Sequence, residues 1–298
     1  MISEASSQTV ELVGLSEPRG IRRHWDTIRG HPSMLVGLVV LFVVFLAGVV
    51  GPYLIPYPPL KTNPDIRLLV PSAEHLMGTD SFGRDIFSRA VFASRLDLTI
   101  AFSVVPIALG IGALMGMISG YYRGVVDDVI MRITDILLAF PSFILALTIT
   151  AILGNSVTNV IIAIAIAYIP YFVRLTRGQA LSARELDYAE AARCVGNPGW
   201  RVMFLHLLPN CLTPALVQAT LCLGWAILDA SGLAFLGLGI RPPTAEWGVM
   251  VSEGSRDIIS GQWWTSFFPG AMIVLTAFSF NLIGDSLRDI TDPEDASV

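Results

Sequence analysis

Ile136-Leu-Leu-Ala-Phe-Pro-Ser-Phe-Ile-Leu-Ala-Leu-Thr-Ile-Thr-Ala-Ile-Leu-Gly154-Asn-Ser-Val-Thr-Asn-Val-Ile-Ile-Ala-Ile-Ala-Ile-Ala-Tyr-Ile-Pro-Tyr-Phe-Val173 is a run of 38 residues without a charge. As one straight helix it would measure about 57 Å, nearly twice a bilayer core of about 30 Å. A membrane segment of that length folds back once. The turn signal sits near its middle, at Gly154-Asn155-Ser156, with Asn159 just beyond. The run therefore predicts two spans, near 134–153 and 157–174.

Working outward, further uncharged stretches mark further spans. Met34 to Ile55 and Leu98 to Tyr122 precede the run. Leu207 to Ile240, broken only by Asp229, and Ser266 to Gly284 follow it. Inside lipid, segments of this length satisfy their backbone groups only as helices. The expected fold is all-α: a polytopic membrane protein with six transmembrane helices. Composition agrees. The chain of 298 residues is 53% hydrophobic and 14% charged, against about 25% charged in soluble domains, and its mean hydropathy is +0.65. The first apolar run begins only at Met34, behind a polar arm carrying Arg19, Arg22, Arg23 and Arg29. It is longer than a signal-peptide core and reads as an uncleaved first span.

Basic residues orient the spans. With the N-terminus inside, cytoplasmic segments carry 12 Arg and external segments carry 7 Arg or Lys. N-in, C-in is favoured, with 56–97 and 240–265 outside. The organisation expected is a cytoplasmic arm (1–33), a first span with an external segment (34–97), a core (98–287) and a cytoplasmic tail (288–298). Gly and Pro recur within the spans, at Pro106, Gly110, Gly112, Gly116, Pro141, Pro170, Pro214, Gly224 and Gly232. They fit close helix packing or kinks around a path.

Several chemistries are excluded or disfavoured. A net charge of −5 offers nothing to nucleic acid. Cys194, Cys211 and Cys222 lack metal-ligand spacing and read as free thiols. There is no metal site or cofactor to assign. No Gly-x-x-x-x-Gly-Lys-Ser/Thr loop occurs, so the chain binds no nucleotide itself. No His-Glu-x-x-His occurs, and His24, His31, His75 and His206 all fall outside the central spans, against an intramembrane enzyme. The lack of an inverted repeat disfavours an ion-coupled secondary transporter.

The loop between spans four and five carries the most specific signal: Ser182-Ala-Arg-Glu-Leu-Asp-Tyr-Ala-Glu-Ala-Ala-Arg-Cys-Val-Gly196-Asn-Pro-Gly-Trp-Arg201. Ser182 and Glu185 have capping-box spacing. Gly196 suits a left-handed stop, and Pro198 suits the start of another helix. A cytoplasmic helix over 183–196 is expected. Its small alanines and mixed charges suit a protein groove better than lipid headgroups, which would call for large apolar anchors.

Glu190-Ala191-Ala192, then Gly196, and later Leu208-Pro209 resemble the EAA motif of bacterial ABC importer permeases. His206 to Asn210 (His-Leu-Leu-Pro-Asn) replaces the motif's usual aliphatic residue with His206 and resembles the peptide-permease branch. His75 to Arg89, Phe235 to Gly248 and Asp285 to Pro293 are similar to segments of the dipeptide/oligopeptide C-type permease. The resemblance runs from about residue 20 to 293. It implies the type I ABC importer permease fold, alternating access and cytoplasmic coupling through Glu190, Ala191, Ala192, Gly196, Leu208 and Pro209. It also implies partners: a second homologous permease, two ABC ATPase subunits or domains, and an extracytoplasmic peptide-binding protein, in the cell membrane. Peptide is the expected cargo, with nickel or another small solute as the alternative.

Four expectations concern individual charges and aromatics. Asp135 pairs with Arg132 or sits among headgroups. Asp229 lines the path or binds a peptide amine, because an intramembrane carboxylate is a functional candidate by default. Gly78 to Arg89 forms an external structural element near a subunit interface, unless its charges Arg84, Asp85 and Arg89 are simply surface. Trp247, after Pro242-Pro243, serves as an interfacial anchor.

Overall fold

The structure, a computed structural model, describes residues 32–291. Arg19, Arg22, Arg23, Arg29 and the tail beyond Thr291 lie outside the described residues. Helix α1 spans Pro32–Val49, α2 Ile86–Tyr122, α3 Gly124–Leu138, α4 Ser142–Leu153 and α5 Val157–Ala183. Helix α6 spans Asp187–Cys194, α7 Leu208–Phe235, α8 Trp247–Ser255 and α9 Trp264–Thr291. No strand occurs among the described residues.

Five helical segments are long and apolar enough to cross a membrane, and a sixth span exists if the bent pair α3–α4 counts as one. The fold-back expected at Gly154-Asn155-Ser156 is where α4 ends and α5 begins. Ser156 caps α5 by accepting a hydrogen bond from Asn159 N at 3.1 Å. Asn159 Nδ2 donates to Leu153 O at 2.8 Å and to Gly154 O at 3.0 Å. The turn therefore consumes the backbone groups that the helix ends leave open.

The third span departs from expectation. Instead of one helix near 134–153, α3 and α4 meet at 88°. Pro141 lacks an N–H and pushes the residue before it out of helical conformation, so the break falls at 139–141. With 12 residues, α4 is only about 18 Å long. Helix α3 is fastened to α5 by two ion pairs. Asp127 accepts from Arg177 Nε and Nη2, each at 2.6 Å. Asp135 accepts from Arg174 Nη2 at 2.7 Å. Asp135 thus pairs across helices and not with Arg132 on its own, because α3 packs against α5.

The most extensive helix–helix contact is between α2 and α5. Gly112, Gly116 and Gly120 recur every fourth residue on α2 and face α5. A Cβ at Gly116 would lie 2.5 Å from Val173 O, and one at Gly112 2.5 Å from Phe172 Cβ. Small residues here let the two backbones meet, as membrane packing without a hydrophobic drive requires.

Helix α2 has 37 residues, about 55 Å of length. It begins at Ile86, twelve residues before the expected span, so its first turns extend past the bilayer core. They are held by a buried ion cluster. Asp80 Oδ2 accepts from Arg84 Nε at 2.6 Å and from Arg89 Nη1 at 3.0 Å. Glu253 Oε2, on α8, accepts from Arg84 Nη2 at 2.8 Å and from Arg89 Nη2 at 2.9 Å. Arg89 is 1% exposed and Arg84 3%. Beside them Asp85 caps α2, accepting from Ser88 N at 2.7 Å, and contacts His75 Nδ1 at 2.9 Å. These charges are interior and not surface. The reading of Trp247 as an interfacial anchor is likewise corrected: it is fully buried, and its Nε1 donates to Ala90 O at 2.9 Å.

Candidate functional site

Helix α5 runs on through Ser182 to Ala183. The expected capping box is therefore absent. Ser182 Oγ points back to Gly178 O at 3.4 Å, and α6 starts only at Asp187, behind Leu186 with no side-chain cap. The helix of this loop is 187–194 within the expected 183–196. Propensity explains the difference: alanine-rich sequence continues an existing helix more readily than it nucleates a new one. The C-terminal stop is as read. Gly196 has φ +86°, its N–H donates to Arg193 O at 2.9 Å, and Asn197 N–H donates to Ala192 O at 3.4 Å. Pro198 then precedes the short helix Gly199–Arg201.

The four motif residues divide between two faces. Ala192, with Ala189, is buried against Met117, Ala180, Val202, Met203, Leu207 and Cys211. Glu190 and Ala191 are exposed on the opposite side. Gly196 is exposed, and a Cβ there would meet nothing within 4 Å. The alanines therefore do two jobs: Ala192 seats the helix on its own chain, while Ala191 leaves the outer face flat. Around that face stand exposed apolar side chains, Leu186, Tyr188, Val195 at 83% and Trp200 at 57% exposure. Leu208 packs against the inner cluster, and Pro209 is exposed at the first turn of α7. Between α6 and α7, Val202–Leu207 winds as a π-helix, a form often met at functional sites.

Asp229 sits well inside α7 and is half-buried. Its Oδ2 accepts from Tyr168 Oη of α5 at 2.8 Å, and no basic side chain pairs with it among the described residues. Cys211 and Cys222 are buried and Cys194 is exposed; none is disulfide-bonded. No group of acids, His and Cys suited to a metal ion occurs among the described residues.

Two buried carboxyl groups escaped sequence reasoning. Glu246 is fully buried as the cap of α8, accepting from Gly248 N at 2.9 Å and Val249 N at 2.7 Å. Asp97 of α2 lies against it and accepts from Trp247 N at 3.3 Å. Burial pushes the Glu246 carboxyl above the ordinary glutamate range, while the two N–H donors pull the other way. Glu246, just ahead of a helix start, was legible as a cap; its meeting with Asp97 had no local signal.

Residues 111–294 match the family model described as binding-protein-dependent transport system inner membrane component. Residues 21–71 match the N-terminal TM domain of oligopeptide transport permease C. The chain is 45% identical to the protein named "Probable D,D-dipeptide transport system permease protein DdpC" from Escherichia coli, over 99% of this chain and 98% of that one. It is 46% identical to the dipeptide transport system permease protein DppC of Alkalihalophilus pseudofirmus, over 92% and 90%. The glutathione transport system permease protein GsiD of Pectobacterium atrosepticum is 40% identical, over 92% and 91%. A chain from inward facing conformations of the MetNI methionine ABC transporter superposes with a TM-score of 0.54 at 19% identity, over 68% of this chain and 97% of that one. The fold is that of an ABC importer permease, and the chain belongs to the binding-protein-dependent transport system inner membrane component family.

Proposed function

We propose that this chain conducts short peptides through the membrane as one permease subunit of an ATP-driven importer. The observation that carries the cargo is that relatives named for dipeptide, D,D-dipeptide and glutathione transport are 40–46% identical over at least nine-tenths of the chain. The chain is itself non-catalytic; ATP hydrolysis belongs to partner ATPases.

The assembly consists of this chain, a second homologous permease, two ATPase subunits or domains, and an external peptide-binding protein. Termini lie in the cytoplasm, which puts α6 on the ATPase side and α8 outside. The basic residues on the α6 side and the exposed apolar ring of Leu186, Tyr188, Val195 and Trp200 support that placement. An apolar ring of this kind outside the membrane core marks a partner surface. The ATPase touches Glu190 and Ala191, while Ala192 and Leu208 carry the movement into the bundle. Gly196 fixes the angle at which the loop leaves the helix. Asp229 lines the path, where a fixed carboxylate attracts a peptide ammonium.

Reconstitution of the chain with its partners in proteoliposomes tests the cargo. Labelled di- to hexapeptides accumulate, and unlabelled peptides or loss of ATP block them. Nickel accumulation with no response to peptides would assign the chain to metal import instead.

A further inference from the structure

A pocket of 620 Å³ opens among the C-terminal half of α5, the N-terminal half of α7 and the C-terminal end of α9. Its size falls in the range of small-molecule sites, about 300–1,000 Å³. Its lining differs from the rest of the spans. Gln179 of α5, Asn210, Thr213 and Gln218 of α7 and Arg288 of α9 converge on it.

An amide turned to hydrocarbon without a partner costs roughly 2–7 kcal/mol, and polar side chains in membrane helices face protein or water-filled space. Gln218 and Gln179 therefore mark the pocket as wet. Gln218 Nε2 has a single weak contact, Cys222 Sγ at 3.7 Å, and Asn210 commits one N–H to His206 O at 3.0 Å. Free amide oxygens and N–H groups remain on both. Gln218, Cys222 and Asp229 also share one face of α7, at spacings of four and seven residues. The pocket thus lies on the same face of α7 as Asp229, with Cys222 buried between them, about 16 Å along the helix and nearer the cytoplasm in the topology proposed above.

We propose that this pocket is an exit subsite that holds the peptide backbone on the amides of Gln179, Asn210 and Gln218 and its terminal carboxylate on Arg288. The assignment rests on the peptide reading above. An amide side chain both donates and accepts, so it reads a peptide bond without reading the neighbouring side chain. A guanidinium matches a carboxylate in a two-pronged geometry. Together they recognise what all short peptides share: a backbone and a charged end.

The test uses the purified complex without nucleotide or binding protein, so that the binding protein's own preferences do not intervene. Binding of a fluorophore-labelled tripeptide is competed by the same tripeptide as free acid or as C-terminal amide. In the wild type the acid competes about tenfold better, a difference of about 1.4 kcal/mol. Arg288→Gln removes that preference, and Arg288→Lys, keeping the charge, retains most of it. Gln218→Leu weakens acid and amide alike. Arg288→Gln with the preference intact, or no competition by either form from a complex that still imports peptides, overturns the subsite alone. A complete wild-type system that imports no peptide overturns the cargo reading and the subsite with it.

Discussion

The α8 end and the α6 end of the molecule, outer and inner in the topology proposed above, treat charge in opposite ways. Outside, Asp80, Arg84, Arg89 and Glu253 form a closed set in which two acids face two bases and all partners belong to one chain. Inside, α6 presents Asp187, Glu190 and Arg193 to the surroundings, with Val195 and Trp200 exposed beside them. The nearby pair Arg123–Glu185 is 50% and 62% exposed. The outer end is complete within its own chain. The inner end leaves its charges and apolar side chains open, as the docking role proposed for it requires. Charge marks structure where it is buried and paired, and is open to a partner where it is left exposed beside apolar side chains.

This difference predicts where substitutions will hurt and how. The largest effect belongs to the outer cluster. Arg89→Leu leaves Asp80 and Glu253 with one guanidinium between them, and breaking a buried pair costs about 3–5 kcal/mol. The variant should show a sharply reduced yield of folded protein and a lowered unfolding temperature in detergent. Arg89→Leu at wild-type stability would break the comparison.

Gly196→Val comes next. A side chain in left-handed backbone costs about 1–2 kcal/mol, and nothing crowds the position. The strain therefore falls on the exit from α6 and not on the bundle. Unfolding of the spans should move little, while nucleotide hydrolysis coupled to transport falls severalfold.

Protonation sharpens the outer side further. The Glu246 carboxyl titrates above its unfolded value because burial outweighs its two N–H donors. Its contribution to stability is therefore fully present below the unfolded value of about 4.3 and is lost as pH rises through the raised one. Unfolding temperatures measured from pH 4 to 8 should show a pH-dependent difference between wild type and Glu246→Gln, with the wild type losing more on the alkaline side. A constant difference across that range would contradict the sign.

The smallest effect belongs to the exposed inner pair. Arg123→Gln removes an ion pair in solvent, where such contacts contribute about 0–1 kcal/mol. Stability and yield should match the wild type within error in thermal unfolding of the purified complex.

What was legible in the sequence was local. The turn at Gly154-Asn155-Ser156 announced itself through residues adjacent in the chain, as did the left-handed stop at Gly196 and the uncharged runs of α1, α2, α5, α7 and α9. The family motifs were legible for the same reason, being short and contiguous. What escaped depended on distant partners. Glu253 meets Arg89 across 164 positions, and Asp97 meets Trp247 across 150. For Asp135 the sequence offers only the nearby Arg132 or the headgroups, while the structure supplies Arg174, 39 positions away. The bend at 139–141 was signalled by Pro141, but proline inside membrane helices is common enough that the residue alone did not separate a kink from a break. The division of the motif alanines into a buried and an exposed one also needed the cluster beneath α6, which draws on α2, α5 and the π-helical turn.

The measurement that bears most directly on the open inner end is stimulated ATP hydrolysis by the assembled transporter carrying Ala191→Trp. Ala191 points away from the chain's own core, so an indole there leaves the fold undisturbed and obstructs only what docks on it. The expected result is a folded, membrane-inserted chain at wild-type level whose complex loses peptide-stimulated hydrolysis. Full stimulation in that variant, with the ATPase still bound, would contradict a docking role for this face of α6.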